Sequence, residues 1–172
     1  MSRPTLLIGA PLDILDAFAA SPSVSDQRLE NFHHPTNARA VVAAIDLRDA
    51  PSPDAAKEHL RTSGSAAIDE AQRHPQFEHF FIIYAATGAE SELLARGAAE
   101  LASQAHAAFE RELATVVDVI VIDVSACSDP VLLAHRMTSH IQRRPGSVPD
   151  SALCWTSITD DSIASITAND SC

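Results

Sequence analysis

The sequence predicts an α/β protein, a three-layer sandwich with a mostly parallel five-stranded sheet, Rossmann-like or flavodoxin-like. Three observations carry this expectation. Five short apolar segments recur along the 172 residues, each followed by polar or alanine-rich sequence. The middle three are apolar at odd and even positions alike, as in a strand covered on both faces. Between the segments lie stretches of helical spacing with start and stop signals. Regular β-α alternation gives parallel strands joined by right-handed crossovers, which deposit helices on both sides of the sheet.

The elements follow in order. Thr5–Ala10 (TLLIGA) reads as the first strand, and Leu12–Ala20 as a short helix ended by Ser21-Pro22. Ser21–Arg39 is a long, mostly polar connection and is the segment expected to be a functional or mobile loop. Ala40–Leu47 (AVVAAIDL) is the second strand. Ser52-Pro53 then has the form of a cap followed by a helix-opening proline, leading through Asp54–Leu60 towards Arg73. His79–Ala86 (HFFIIYAA) is the third strand, with Tyr84 in its core. In Ala89–Ala114, Leu94, Leu101, Phe109 and Leu113 fall near one helical face, and Thr87 with Glu90 makes a capping box at the start. Val116–Val124 (VVDVIVIDV) is the fourth strand, interrupted by Asp118 and ended by Asp123. Asp129-Pro130 repeats the helix-opening signal before Val131–Arg143, which Pro145-Gly146 stops. Ala152–Ile158 (ALCWTSI) is the fifth strand, carrying Cys154 and Trp155, and Asp160–Ala168 a terminal helical turn. One α/β domain over 1–172 accommodates these elements, with 21–39 as its long polar loop and 159–172 as a short C-terminal helix or tail.

Composition narrows the function classes. The 23 acidic residues against 12 basic ones give a formal charge of −11, a field that repels phosphate backbones and anionic membrane surfaces. Arg136, Arg143 and Arg144 are the only local basic group and have no interleaved aromatics, so no nucleic-acid or membrane partner is expected. Cys127, Cys154 and Cys172 form an odd set without a CxxC pair. Together with an apolar N-terminal run too short for a signal peptide, this points to the cytoplasm. Eleven of the twelve basic residues are Arg and alanine is abundant, which hints at a GC-rich bacterial genome.

In folds of this class, ligands sit at the carboxyl ends of the strands near the topological switch point. The ligand-binding candidates are therefore Gly9, Asp13, Asp46, Thr87, Gly88 and Ser125, and the catalytic candidates are Asp123, Cys127 and Asp46. The common signatures are missing. No G-x-G-x-x-G follows the first strand, no P-loop surrounds the single Lys57, and there is no G-x-S-x-G elbow. The acidic cluster and late lysine of a receiver domain are also lacking. Asp123-x-Ser125-x-Cys127 resembles the Asp-x-Ser-x-Ser cation loop of von Willebrand type A domains, whose aspartate and hydroxyls help hold Mg²⁺. It departs from that pattern in two ways: Cys127 is a poor ligand for a hard cation, and the loop follows the fourth strand instead of the first.

Thr87-Gly88 can present backbone N–H groups to a phosphate at a helix N-terminus. Cys127 lies just before a helix start, where the dipole favours a thiolate. Asp46 and Asp123 are expected about 14 Å apart in the strand order 2-1-3-4-5, or about 10 Å in 3-2-1-4-5, too far to share one ion. Eight histidines offer no ligand spacing: His135 and His140 are five apart on a helix, His74 precedes a proline, and His79 opens a strand. His33-His34, in the long loop, are the best-placed ligands or bases, and no metal site is expected.

These features favour a non-catalytic module that binds a small phosphate- or nucleotide-like ligand, or a partner subunit, at the strand ends. A homodimer is compatible with the alanine-rich helical faces. The alternative is a hydrolase or transferase acting through the loop Asp123–Cys127.

Overall fold

In the computed structural model, residues 3–29, 37–74, 76–87, 91–113, 116–146 and 150–167 are described. Six strands form one sheet in which every pairing is parallel, in the order β2-β1-β3-β4-β5-β6. They are β1 (Thr5–Gly9), β2 (Val24–Asp26), β3 (Ala40–Asp46), β4 (His79–Ala85), β5 (Asp118–Asp123) and β6 (Ser151–Cys154). The helices are α1 (Asp16–Ala19), α2 (Pro53–Ala71), α3 (Ser91–Glu112), α4 (Pro130–Ile141), α5 (Trp155–Asp160) and α6 (Ile163–Thr167), and a 3₁₀ turn, Asp13–Leu15, leads into α1. This is the three-layer α/β architecture expected from the alternation of apolar segments.

Strand parity divides the core in two. Leu6, Ile8, Val41, Ala43, Phe80, Ile82, Val119 and Val121 face a layer made by α2 and α3. Leu7, Val42, Phe81, Ile83, Ile120 and Ile122 face the opposite layer, where Phe18 of α1, Leu133 and Met137 of α4, and Trp155 and Ile158 of α5 meet them. A side chain that points up at one position points down at the next, so only a strand apolar on both parities can serve both layers. At about 1.5–3 kcal/mol for each large side chain removed from water, these two layers supply the main driving force for folding.

The helix starts follow their sequence signals. Ser52 accepts the Ala55 N–H at 3.2 Å ahead of Pro53. Asp129 accepts the N–H groups of Val131 and Leu132 at 3.1 and 2.9 Å ahead of Pro130. Where α2 meets α3, Gly64 lies so close to Leu101 that an added Cβ would approach its methyl carbon to 2.3 Å. The glycine thus sets how closely the two helices pack.

Three expectations are corrected. The sheet has six strands, not five, because residues 24–26, inside the stretch read as a long loop, pair with β1 in the register Thr5↔Val24. With only Val24 apolar, so short a strand carries no periodicity to detect. The last strand ends at Cys154, and buried Trp155 opens α5 instead of lying in the sheet. Asp46 and Asp123 end β3 and β5, which flank β4 in an order different from both orders considered. Two steps still separate them, about 10 Å, so the conclusion that they share no ion survives.

Candidate functional site

The chain direction reverses across the sheet between β1 and β3: β2 lies on one side of β1, and every later strand on the other. A ligand in a doubly wound sheet is expected outside the carboxyl ends of these two strands. Gly9 ends β1 with φ at +93°, and a Cβ there would stand 2.2 Å from the Ala44 carbonyl oxygen. Ala10 N–H donates to that same oxygen at 2.8 Å. Gly9 is therefore required by the close approach of β1 to β3.

Asp46 and Asp13 are joined by one guanidinium. Arg48 donates from Nε to Asp46 Oδ1 at 2.9 Å and from Nη2 to Asp46 Oδ2 at 2.7 Å, while Nη1 reaches Asp13 Oδ1 at 3.3 Å. The Arg48 hydrogen bond holds the Asp46 carboxyl below its ordinary range, against the opposing effect of burial. The same turn recurs at the end of β2. There Arg28 donates to both oxygens of Asp26 at 2.9 and 2.8 Å and reaches Asp16 Oδ1 at 3.0 Å and the Leu12 carbonyl at 2.7 Å. An Asp-x-Arg unit, Asp26-Gln27-Arg28 and Asp46-Leu47-Arg48, thus ends each strand that flanks β1 and ties it to the 3₁₀ turn and α1.

Beside this end lies a groove of about 440 Å³ between α2 and the β1–β3 pair, lined by Gly9, Ala10, Ala44, Asp46, His59 and Ala66 among others. The small side chains of Ser63, Ala66 and Ala67 on α2 leave the space open.

The remaining predicted positions lie further along the same edge. Asp123 Oδ1 accepts the Ser125 N–H at 2.9 Å and the Ser125 hydroxyl, and Ser125 Oγ accepts the Ala86 N–H at 2.8 Å. Asp123 and Ser125 thereby form a local turn that ties β5 to β4. Burial and the adjacent Asp123 charge raise the pKa of the Tyr84 hydroxyl. Cys127 is half-buried and free, and burial pushes its thiol up, opposite in direction to the dipole effect expected at a helix start. Thr87 donates its hydroxyl to the Arg48 carbonyl at 3.3 Å. Gly88, Glu90, His33 and His34 lie outside the described residues. Cys154 takes part in a disulfide, so cysteine usage gives no support to a reducing compartment.

The opposite, N-terminal edge of the sheet holds a cluster that spacing along the chain did not reveal. His79 opens β4 and Asp118 opens β5, and the two are directly in register. Both project towards α4, whose last turn brings His140 against them. All three are buried, at 0%, 2% and 2% exposure. Asp118 Oδ2 lies 3.4 Å from His79 Nδ1 and 3.4 Å from His140 Nε2, while Oδ1 accepts the Gly146 N–H at 2.7 Å. His79 Nε2 donates to the Arg143 carbonyl at 3.2 Å, and Arg39 donates to the same carbonyl at 3.0 Å. Among the described residues this is the one set of three metal-ligand-type side chains whose donor atoms converge, all within 4.8 Å of one another. The signals available beforehand were Asp118 in an apolar strand and His79 at a strand start. Their meeting required the register.

No protein-family model matches the chain, and no curated protein or solved structure is significantly similar to it.

Proposed function

We propose that the chain is a non-catalytic α/β module that binds a small molecule in the groove between α2 and the carboxyl ends of β1 and β3. The observation that carries this reading is the coincidence of a roughly 440 Å³ groove with the switch point of a parallel sheet.

The lining refines the ligand. Asp46, Glu70 and His59 stand among apolar walls, and Arg48 is already engaged by Asp46 and Asp13. Asp46 and Glu70 are likewise paired, with Arg48 and with Arg73 and His74, so a ligand with an apolar body and a hydrogen-bond-donating group, taken by the remaining lone pairs of these carboxylates, suits this lining. A phosphate group would need Arg48 to give up its two carboxylates. The alternative, a hydrolase or transferase acting through Asp123–Cys127, draws no support from that loop: the Asp123 carboxylate is occupied by Ser125, and the Cys127 thiol is pushed up.

Adenosine and adenosine monophosphate, a pair differing in one phosphate, together with an amine-bearing aromatic fragment, test the reading in amide-resolved NMR titrations. The expected outcome is a set of shifts confined to Gly9, Ala10, Ala44, Asp46 and the groove face of α2, larger for the uncharged or cationic compounds. Replacing Ala66, which lines the groove from its exposed helix face, by Trp should abolish these shifts without unfolding the protein. Shifts that survive A66W, or none from any of the three probes, would remove the groove as the site.

A further inference from the structure

We infer that His79, Asp118 and His140 form a binding site for a borderline divalent transition metal of the Zn²⁺ class at the N-terminal edge of the sheet. The donor set is the first ground. Two imidazole nitrogens and one carboxylate oxygen suit such ions better than the hard cations, which take oxygen ligands only. The side chains come from three separate elements, β4, β5 and α4, and converge where none of them reaches bulk water.

The second ground is the spacing. Charge-assisted N–H···O contacts normally close to about 2.7–2.9 Å. Here both imidazole nitrogens stop at 3.4 Å from Asp118 Oδ2, and none of these three atoms has a hydrogen-bond partner. A tetrahedral ion with bonds of about 2.0–2.1 Å holds its ligand atoms about 3.3–3.4 Å apart, which is the separation of each imidazole nitrogen from Asp118 Oδ2, and the three donor atoms all lie within 4.8 Å of one another.

The third ground is proton placement. A carbonyl only accepts, so the bond from His79 Nε2 to the Arg143 carbonyl puts the proton of a neutral His79 on Nε2. The lone pair on Nδ1 then faces the carboxylate. Two acceptors face each other in a buried place unless a cation lies between them or His79 is a fully buried imidazolium. A metal ion resolves this contact. The Arg143 carbonyl and the Gly146 N–H orient His79 and Asp118 from behind, as outer partners orient ligands in metal sites. The last turn of α4 adds the negative end of its dipole.

Burial of all three ligands gives the ion a structural role, pinning the end of α4 to the starts of β4 and β5. The full chain, stripped with EDTA, loaded with Zn²⁺ or Co²⁺ and desalted, tests this. The expected result is one zinc retained per chain, tetrahedral d–d absorption in the Co²⁺ form, and zinc-edge X-ray absorption reporting two imidazoles in an otherwise oxygen shell. Asp118→Asn and His140→Gln should each lower zinc affinity by at least about tenfold, while His135→Gln, on the exposed side of α4, leaves it unchanged. Failure of the wild-type chain to retain zinc, an absorption spectrum without two imidazoles, or unchanged affinity in both cluster variants would overturn the site. If the variants do not fold, the cobalt and X-ray spectra of the wild-type protein decide.

Discussion

Gly9→Ala is the perturbation whose cost can be worked most directly from the geometry. The new methyl would sit 2.2 Å from the Ala44 carbonyl oxygen, against 3.4 Å or more for an ordinary contact. Both clashing groups are held by backbone, so the β1–β3 pair must separate by about an ångström at its end. That weakens the hydrogen bond from Ala10 N–H to Ala44 O, worth about 1 kcal/mol. The residue must also keep φ at +93°, which costs an L side chain roughly 1–3 kcal/mol. Together the loss is about 3 kcal/mol. With a urea dependence of about 2 kcal/mol per molar, the unfolding midpoint should fall by about 1.5 M at unchanged slope.

Gly64→Ala is the control. Its Cβ would come 2.3 and 2.7 Å from the two Leu101 methyls and 3.0 Å from its branch carbon, so the obstacle is one side chain that can repack, not backbone. Overpacking of about 1–3 kcal/mol is offset by about 1 kcal/mol of gained helix propensity. Equilibrium urea unfolding by fluorescence and circular dichroism measures both variants. A loss for G64A equal to or larger than that for G9A would refute the reasoning.

Three further outcomes follow from the same structure. Asp129→Ala removes the acceptor for two N–H groups at the start of α4 and should cost about 1–2 kcal/mol in urea or thermal unfolding. Asp26 and Asp46 have folded pKa values below their ordinary 3.8, chiefly through Arg28 and Arg48. Their contribution is thus present above that value and lost as pH falls through the lower folded values. The stability gap between wild type and Arg48→Met should accordingly shrink from about pH 5 to pH 2, and a constant gap in urea midpoints would contradict the pairing. Because burial raises the Cys127 thiol, disulfide reagents should label it at neutral pH more slowly than a free thiol, and faster labelling would contradict that burial.

The legible part of this protein is the part encoded locally. Phe80 to Tyr84 and Val119 to Ile122 are apolar at every position, which already requires cover on two faces and hence a parallel sheet between helical layers. Ser52-Pro53 and Asp129-Pro130 name their helix starts because a cap and its acceptors are neighbours in sequence. Val24–Asp26 was not legible, since three residues with one apolar member become a strand only through the edge that β1 offers. Trp155 is equally at home in a strand or at a buried helix start, so its type does not separate the two.

The strand-end positions were found by topology alone, and structure changed what they mean. Gly9 answers to Ala44, Asp46 to Arg48, and Asp123 to Ser125; what opens at that edge is the groove that the small residues of α2 leave beside them. The buried cluster is the opposite case. His79, Asp118 and His140 are 39 and 22 residues apart, with no spacing that a motif could capture. Sequence by itself determined the layers, the helix starts and the faces that must be buried, because these depend on neighbours within one or two turns. Only the tertiary structure decided the strand order, the register His79↔Asp118 and the approach of α4. Those depend on which distant segments pair, and pairing is settled by the packing of the whole sheet.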